Sequence, residues 1–445
     1  MIKSKKALLL LLGVTAVISF AFAFRIFPSK TNSVHNHPQG SEITCDPEAP
    51  VCVMKTIFGL EEGPLTRPTM VLPDEARASI QSGLSWLAKA QSPDGGWGAG
   101  THYRQEVRDP HAVQTDPATT AFVTLSLLRT GNTLAEGVYS DALKKGTLYL
   151  LKAVESWSEN QPRLTTLDGT QPQQKLGQNI DAILTVQYFT NFLKIHARHP
   201  MHDRVKAALD KCVKRIEKEQ DADGGWKGGG WAPVLQSALA DNALEAAKEA
   251  GITVDSAVLE RSKNYQKGNF DTATKSAITG KAAGVMLYSF SSTSRASAKE
   301  ARKAKDIVDK AKKEGRVQAD AKMDEVTLQK AGVAPAEAKK LSTAYMINES
   351  TKTSAMSEDV MAGFGSNGGE EFISYLMTGE SVIMQGGNEW KQWYTTMMKK
   401  LLAIQKADGS WEGHHCITSP VFCTAACLLI LSINNDMKIE IPGKG

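Results

Sequence analysis

The segment "GHHCITSPVFC", from Gly413 to Cys423, concentrates the residue types that can carry chemistry. Its two His and two Cys side chains, His414, His415, Cys416 and Cys423, form a ligand set suited to tetrahedral Zn²⁺. The same residues allow two other interpretations. Cys416 and Cys423 form a disulfide if the chain folds in an oxidising compartment, or Cys416 is a nucleophile that a neighbouring His activates. The spacing alone leaves all three open.

Carboxylates that would complete such a site lie upstream, in "GGEEFISYL". Glu370 and Glu371 stand side by side at the start of an apolar segment, where a helix dipole favours acidic residues even without a chemical role. If His414 or His415 faces Glu371 across the ring, that histidine and Glu371 form an acid–base pair. We therefore predict a catalytic group of Cys416, His415 and Glu371.

Two further candidates lie close to the first buried helix of the chain. Asp116 in "TDPATTA" precedes a proline, a combination that caps and starts a helix. His102 lies in the preceding polar loop, where surface exposure alone explains a histidine. The predicted ligand-contacting set comprises Asp116, Glu370, Glu371, His102 and Trp411.

The N-terminus, "MIKSKKALLLLLGVTAVISFAFAFRIF", places basic residues before an apolar run. This order is typical of a secretory signal or an N-terminal membrane anchor. We predict that residues 1–27 direct export, so that the protein is periplasmic, membrane-anchored or secreted, and that residues 28–73 form a linker. In an oxidising compartment, Cys45 and Cys52 then form a local disulfide rather than a metal site.

The composition excludes nucleic acid as a predicted partner. Hydrophobic residues make up 42% of the chain and charged residues 22%, the proportions of a folded globular protein. The formal net charge is only +4, from 52 basic and 48 acidic residues. A balance this close to neutral provides no electrostatic attraction for a phosphate backbone.

A pattern of Gln, Asp-Gly and Trp recurs three times along the chain. It reads "QSPDGGW" at 91–97, "QDADGGW" at 220–226 and "QKADGSW" at 405–411. Each copy ends an amphipathic stripe and precedes a nearly uncharged segment that opens with Pro. Gly adopts the left-handed conformation that ends a helix, and Trp covers helix ends with a large apolar surface. The predicted unit is an amphipathic outer helix, a turn and a buried inner helix.

Three weaker pairs of segments extend this pattern, at 138–157 with 175–193, 254–266 with 275–290, and 338–348 with 369–385. Six outer and six inner helices predict an all-α fold, an α/α toroid over 74–436 followed by a tail at 437–445. The segment 294–336 is highly charged and poor in large apolar residues. We predict that it is a solvated helical insertion that adds little to the core.

The Gln-x-x-Asp-Gly-(Gly/Ser)-Trp turn followed by a buried helix resembles the repeat of squalene and oxidosqualene cyclases, and more loosely that of protein prenyltransferase β subunits. The resemblance covers most of 74–433 and implies a central cavity, with turns that brace neighbouring helices. The Asp-x-Asp-Asp motif that holds the acid of those cyclases is absent from this sequence. Aromatic residues, which would stabilise carbocations, make up only 7% of the chain. Hopene-type cyclisation is therefore not predicted.

The prenyltransferase comparison implies a zinc site that this sequence does not preserve. The positions of its ligands fall on Glu371, Ile373 and Cys423, so that one ligand is lost. The predicted function is instead the binding of an apolar small molecule, a peptide or an envelope protein in the cavity of an exported toroid. The alternatives are a metal- or cysteine-dependent enzyme at the His-His-Cys segment, with zinc as its cofactor, and a scaffold that displays the charged insertion. The N-terminal segment would associate with the membrane.

Overall fold

The computed structural model describes residues 54–56, 59–61 and 72–433, except 159, 227, 229 and 387. The predicted signal or anchor, the Cys45–Cys52 disulfide, most of the linker and the tail lie outside these residues. The outer helices are α1 (Asp74–Lys89), α3 (Ser140–Ser156), α6 (His202–Lys218), α8 (Ser256–Lys267), α11 (Pro335–Ala355) and α14 (Glu389–Ile404). The inner helices are α2 (Pro117–Arg129), α5 (Ile180–Ile195), α7 (Pro233–Glu249), α9 (Met286–Lys313), α13 (Gly369–Gln385) and α15 (Pro420–Leu431).

Shorter elements complete the described chain. They are α4 (Gln171–Lys175), α10 (Glu325–Lys330) and α12 (Glu358–Met361), with two antiparallel hairpins, β1 (Met54–Thr56) with β2 (Gly59–Glu61) and β3 (Phe270–Asp271) with β4 (Ser276–Ala277). Within the described residues, none of the helices has both the length and the apolar character needed to cross a bilayer.

The inner helices form a closed ring. Each contacts the next in the order α2, α5, α7, α9, α13 and α15, and α15 contacts α2 again. The outer helices pack around this ring, and α1 lies against α14 and α15, so that the first helix of the toroid adjoins the last pair. The predicted all-α toroid of six inner and six outer helices is confirmed.

The three repeated turns brace the ring through the same set of hydrogen bonds. Each Trp indole is fully buried, and its Nε1 donates to a carbonyl near the end of the preceding outer helix at 2.7–2.8 Å. Each Trp backbone N–H donates to a hydroxyl on the following inner helix at 2.8–2.9 Å. Each Gln Nε2 donates to its own turn and to a carbonyl of the next outer helix at 2.8–3.0 Å. One turn therefore connects three helices.

Glycine is required in these turns by conformation and by space. Gly95, Gly224 and Gly409 have φ of +89°, +90° and +95°. A Cβ at these positions would lie 2.8, 2.3 and 2.7 Å from a backbone oxygen of the next outer helix. The turn and the neighbouring helix can approach this closely only without a side chain.

The interior of the ring is filled by the inner helices themselves. All thirteen residues of α2, all seventeen of α13 and all twelve of α15 are buried, and α7 contacts α13 across α9. A lumen wide enough for a ligand would leave exposed surface on the inward faces of these helices. The described residues therefore do not support the prediction of a ligand inside the ring.

The packed interior is also polar. The buried side chains include Gln187, Asp241, Asn242, Arg295 and Glu380. Arg295 Nε lies 3.0 Å from Glu380 Oε2, and both side chains are fully buried. Burial raises the pKa of Glu380 to about 7, although the charges of Arg295 and Arg129 oppose the shift. An interior of this kind does not suit an apolar small molecule.

The sequence placed the start of the charged insertion at residue 294. This position lies inside an inner helix, so the predicted boundary was wrong. Helix α9 runs without a break from Met286 to Lys313, whereas the sequence placed its end near Phe290. Small buried residues at Ala301, Ala304, Val308 and Ala311 keep one face of the charged half against α11 and its neighbours. Because this segment includes Arg295, deleting 294–336 would disrupt the ring and would not test a scaffold function.

We predict that Gly224→Ala destabilises the protein much more than Gly251→Ala. Both glycines have positive φ, +90° and +83°, but a Cβ at Gly251 meets nothing within 4 Å. Gly251→Ala should therefore show only the left-handed penalty of about 1–2 kcal/mol, whereas Gly224→Ala adds a clash with Arg261 that costs roughly 2 kcal/mol more. Urea unfolding measures both, and equal losses would show that the turn does not need this close approach.

Removing one partner of the buried ion pair should cost more than removing both. Glu380→Met removes the carboxylate that Arg295 Nε contacts, and Arg295→Met removes the guanidinium that Glu380 contacts, each with an expected loss of about 3–5 kcal/mol. The double variant should lose less than either. The exposed pair between Arg204 and Glu155 serves as control, because its loss should cost under about 1 kcal/mol. Additive losses in the buried pair would contradict the expected coupling.

Candidate functional site

The six inner helices begin at one end of the ring, which we call the mouth. Backbone hydrogen bonds connect the segments that precede them, for example from Ala232 N to Lys175 O at 3.0 Å and from Gly369 N to Ile417 O at 3.0 Å. Gln171 N donates to Gly100 O at 2.9 Å in the same way. The mouth comprises residues 98–116, 171–179, 230–232, 279–285, 362–368 and 413–419.

Glu371 is a carboxylate at the mouth that accepts three hydrogen bonds. It lies in the first turn of α13 and is completely buried. Its Oε1 accepts from the hydroxyl of Tyr288 at 2.5 Å and from Phe364 N at 3.3 Å, and its Oε2 accepts from Gly368 N at 2.9 Å. Three donors thus satisfy this buried carboxyl group in the first turn of α13.

His415 faces Glu371, as the sequence hypothesis required. Its Nε2 lies 3.7 Å from Glu371 Oε2 and 2.9 Å from Ser366 O. Since a carbonyl only accepts, Nε2 carries a proton, and Nδ1 is the acceptor nitrogen of the neutral ring. Nδ1 is buried and has no hydrogen-bond partner among the described residues. This arrangement orients the imidazole as a base, although Nδ1, the nitrogen that would accept a proton, is buried.

Glu370 differs from its neighbour in its protonation. Burial, followed by the charge of Glu371, raises its pKa to about 8. Its Oε2 accepts from Ile417 N at 3.2 Å, and its Oε1 has no partner among the described residues. Glu370 is therefore a neutral carboxylic acid at pH 7.

Cys416 and Cys423 are free thiols, so the structure does not contain the predicted disulfide. Burial and the charge of Glu370 raise the pKa of Cys416 to about 12, and burial raises that of Cys423 well above its usual value. A protonated thiol is a poor nucleophile. The structure therefore disfavours Cys416 as the predicted catalytic cysteine.

The structure does not bring the four predicted zinc ligands together. No group of three or more His, Cys, Asp or Glu side chains there is arranged to hold a metal ion. His414 is exposed, whereas Cys423 is completely buried and donates from Sγ to Ile417 O at 3.4 Å. The four predicted ligands therefore do not converge: His414, His415 and Cys416 lie in the loop before α15, whereas Cys423 lies within α15 itself.

Two of the predicted ligand-contacting residues have structural roles. Asp116 caps α2, and its carboxylate accepts from Thr119 N, Thr119 Oγ1 and Ala99 N at 2.7–2.9 Å. Trp411 is the buried indole of the third turn and donates to Leu401 O. The predicted ligand contacts of Asp116 and Trp411 are therefore replaced by these structural roles, because neither side chain has a surface left for a ligand. His102 does lie at the mouth, where burial and the charge of Lys175 lower its pKa.

Sequence reasoning missed Gln171 and Lys175. The carbonyl Oε1 of Gln171 accepts from Thr418 N at 2.7 Å and from Ser419 N at 3.0 Å, and its Nε2 is buried without a partner. Lys175 lowers the pKa of Cys416, against the larger effect of burial. The only sequence signal was the start of a short helix at "TQPQQK", where Thr170 and Gln173 form a capping box.

A partly exposed aromatic cluster lies beside these residues. The ring of Phe364, 56% exposed, is 5.7 Å from that of Trp231 and 5.3 Å from that of His415. Trp231 is 37% exposed, and Lys175 Nζ lies 4.9 Å from its ring centroid. Lys175, Trp231, Phe364 and His415 come from four separate segments, so we define them as the rim cluster.

The protonated state of Glu370 predicts a specific pH dependence. Because its folded pKa is raised from 4.5 to about 8, the native state binds the extra proton in this window, and stability falls as pH rises through it. Compared with Glu370→Gln, the wild-type protein should lose about 1.4 kcal/mol of unfolding free energy per pH unit between pH 4.5 and 8. Urea unfolding at several pH values tests this, with the exposed Glu358→Gln as control; parallel curves for wild type and Glu370→Gln would contradict it.

Comparison with known proteins gives a family match and similar solved structures. Residues 65–169 match the squalene-hopene cyclase C-terminal domain. A variant of the type II terpene cyclase MstE from Scytonema, in complex with its product merosterolic acid A, has 12% identity and a TM-score of 0.44, covering 81% of this chain and 97% of that chain. The apo form of MstE has 12% identity and a TM-score of 0.31, covering 81% and 98%. No curated protein matches the chain.

The matched segment contains α1, the first Trp turn, α2 and α3, and this turn is one of the three that carried the resemblance in the sequence. The family match, together with the closed ring of six inner and six outer helices, confirms the predicted resemblance to the squalene cyclase and terpenoid cyclase-like superfamily.

Proposed function

We propose that this exported toroid binds a peptide-like ligand at the mouth, against the rim cluster, and not inside the ring. The observation that carries the proposal is the contiguous set of partly exposed rings and one cation, at centroid distances of 4.9–5.7 Å. Exposed aromatic side chains that several segments hold in place are typical of binding surfaces.

The segments that hold the rim cluster are fixed before any ligand arrives. Trp231 N donates to Gln174 O at 3.1 Å, and Phe364 N donates to the buried Glu371. His414 N donates to Asn367 O at 2.7 Å, which connects the loop at 413–419 to the loop at 362–368. A surface that is already ordered loses little conformational entropy on binding.

Polar groups beside the rings favour a peptide over a hydrocarbon. Gln171 Nε2 and Glu370 Oε1 are buried without partners, and each would cost about 1–3 kcal/mol if it stayed unsatisfied. A peptide supplies both an apolar side chain for the rings and backbone groups for the polar atoms. An apolar small molecule satisfies only the first requirement.

Acid–base catalysis on the bound ligand is a second candidate function. The specific observation in its favour is the pair of His415 Nε2 and Glu371 Oε2 at 3.7 Å, with Tyr288 fixing the carboxylate. His415 Nδ1 would accept the proton of a water molecule once the loop at 413–419 exposes it. The cysteine and zinc versions of the enzyme hypothesis are not retained.

We expect Trp231→Ala to weaken peptide binding about tenfold, through the loss of roughly 1.4 kcal/mol of ring contact. The probe is an equimolar pool of N-acetylated tetrapeptides ending in Phe, Trp, Leu or Gly. Equilibrium dialysis with mass spectrometry identifies which peptides the protein retains. Peptides ending in an aromatic residue should be retained best.

Two control variants separate the rim cluster from other surfaces. Val138→Ala changes an 87% exposed apolar residue before α3 and should leave binding unchanged. Cys416→Gly removes the thiol at a residue with φ of +59°, which glycine adopts freely, and should change affinity less than threefold. If no peptide is retained, or if Val138→Ala matches Trp231→Ala, the proposal is wrong.

The second candidate has its own test in the same experiment. Catalysis predicts that retained peptides are converted to smaller products over time, and that His415→Gln abolishes conversion while affinity is kept. Recovery of every peptide unchanged after prolonged incubation would exclude acid–base catalysis on this ligand class.

A further inference from the structure

Three groups at the mouth are buried without partners among the described residues: Gln171 Nε2, Glu370 Oε1 and His415 Nδ1. Of these, the amide nitrogen of Gln171 can only donate a hydrogen bond. The Oε1 of Gln171 accepts from Thr418 N, Ser419 N and Thr418 Oγ1 at 2.7, 3.0 and 3.3 Å. These donors fix the amide in one orientation, because turning it over would place its NH₂ against backbone N–H groups. The buried Nε2 is therefore a donor in need of an acceptor.

Lys175 adds a positive charge on the same short helix as Gln171. It lies four residues after Gln171, at the end of the same short helix, and is only partly buried. Within the described part of the chain, no carboxylate lies within ion-pair distance of its Nζ. Its side chain forms a hydrogen bond with the thiol of Cys416, and its Nζ lies 4.9 Å from the ring centroid of Trp231. Its charge lowers the pKa values of Cys416, Glu370 and His102, although burial has the larger effect on each.

Glu370 does not cancel this charge at neutral pH. As a neutral acid it presents a carboxyl group whose Oε1 has no partner among the described residues. Glu370 and Gln171 hold consecutive parts of one loop, since Glu370 accepts from Ile417 N and Gln171 from the next two residues. The N-termini of α13 and α15 flank the same loop and favour negative charge.

We propose that the ligand at the mouth ends in a carboxylate, and that Lys175 Nζ and Gln171 Nε2 bind this group. The terminal side chain of the ligand then lies against Trp231 and Phe364. The ligand class is a peptide with a free C-terminus, a mode in which backbone and side-chain donors capture a terminal carboxylate. This inference rests on the proposed function and specifies it.

The test compares one N-acetylated tetrapeptide ending in Phe in two forms, with a free carboxyl group and with a C-terminal amide. Calorimetry or dialysis should show at least tenfold tighter binding of the free acid by the wild-type protein. Lys175→Met keeps the aliphatic stem and removes the charge. It should reduce affinity for the free acid to the level of the amide and leave the amide unaffected.

Control variants and outcomes distinguish this inference from the proposed function. Lys152→Met, at an exposed lysine on α3, should change neither peptide. Trp231→Ala should weaken the acid and the amide equally. If both forms bind equally well to the wild-type protein, the carboxylate inference is wrong and the proposed function stands. If the preference for the acid survives in Lys175→Met, the assignment of the site is wrong. If neither peptide binds, both proposals fail.

Discussion

The toroid depends on the hydrogen bond from each buried indole N–H to the end of the helix before it. A helix leaves its last carbonyls without partners, and burying them would be costly. In all three turns the indole supplies the missing donor and its ring covers the exposed end, while the same residue bonds through its backbone to the inner helix. The glutamine that opens the turn reaches the next outer helix. The hydrogen bonds of three turns thereby set the spacing of the helices around the ring.

The closing of the ring interior follows from the size of the side chains that line it. Helix α9 carries a run of serines, and Ser294 Oγ donates directly to Ser381 Oγ on α13 at 2.6 Å. Side chains this small allow two helices to approach closely, and polar groups then bond to each other across the gap. A ring that would otherwise enclose a cavity becomes a packed core with an internal ion pair. Binding chemistry is consequently left to the ends of the helices.

The two adjacent carboxyl groups at the mouth have different environments. Glu371 accepts hydrogen bonds from Tyr288, Phe364 and Gly368, whereas Glu370 accepts only one from Ile417. Ionising both in a buried site would place like charges next to each other, so the less bonded group keeps its proton. The mouth therefore combines a carboxyl group with three donors, a second carboxyl group with a raised pKa, and one lysine without a carboxylate partner among the described residues. The proposed preference for acceptor groups rests on this combination and not on any single residue.

The repeated Gln, Asp-Gly and Trp pattern determined the helix pairs and the all-α ring by itself, since turn conformation and hydrophobic period are local properties. The pairing of His415 with Glu371 was also predictable as a hypothesis. Only the tertiary structure decided the length of α9, because alanines within a charged sequence become core only when α11 packs against them. The structure likewise decided that the His and Cys side chains of one loop diverge, and that Gln171, Lys175, Trp231 and Phe364 meet. These residues lie up to almost two hundred positions apart in sequence, and no local pattern encodes which loops the closed ring brings to the same end.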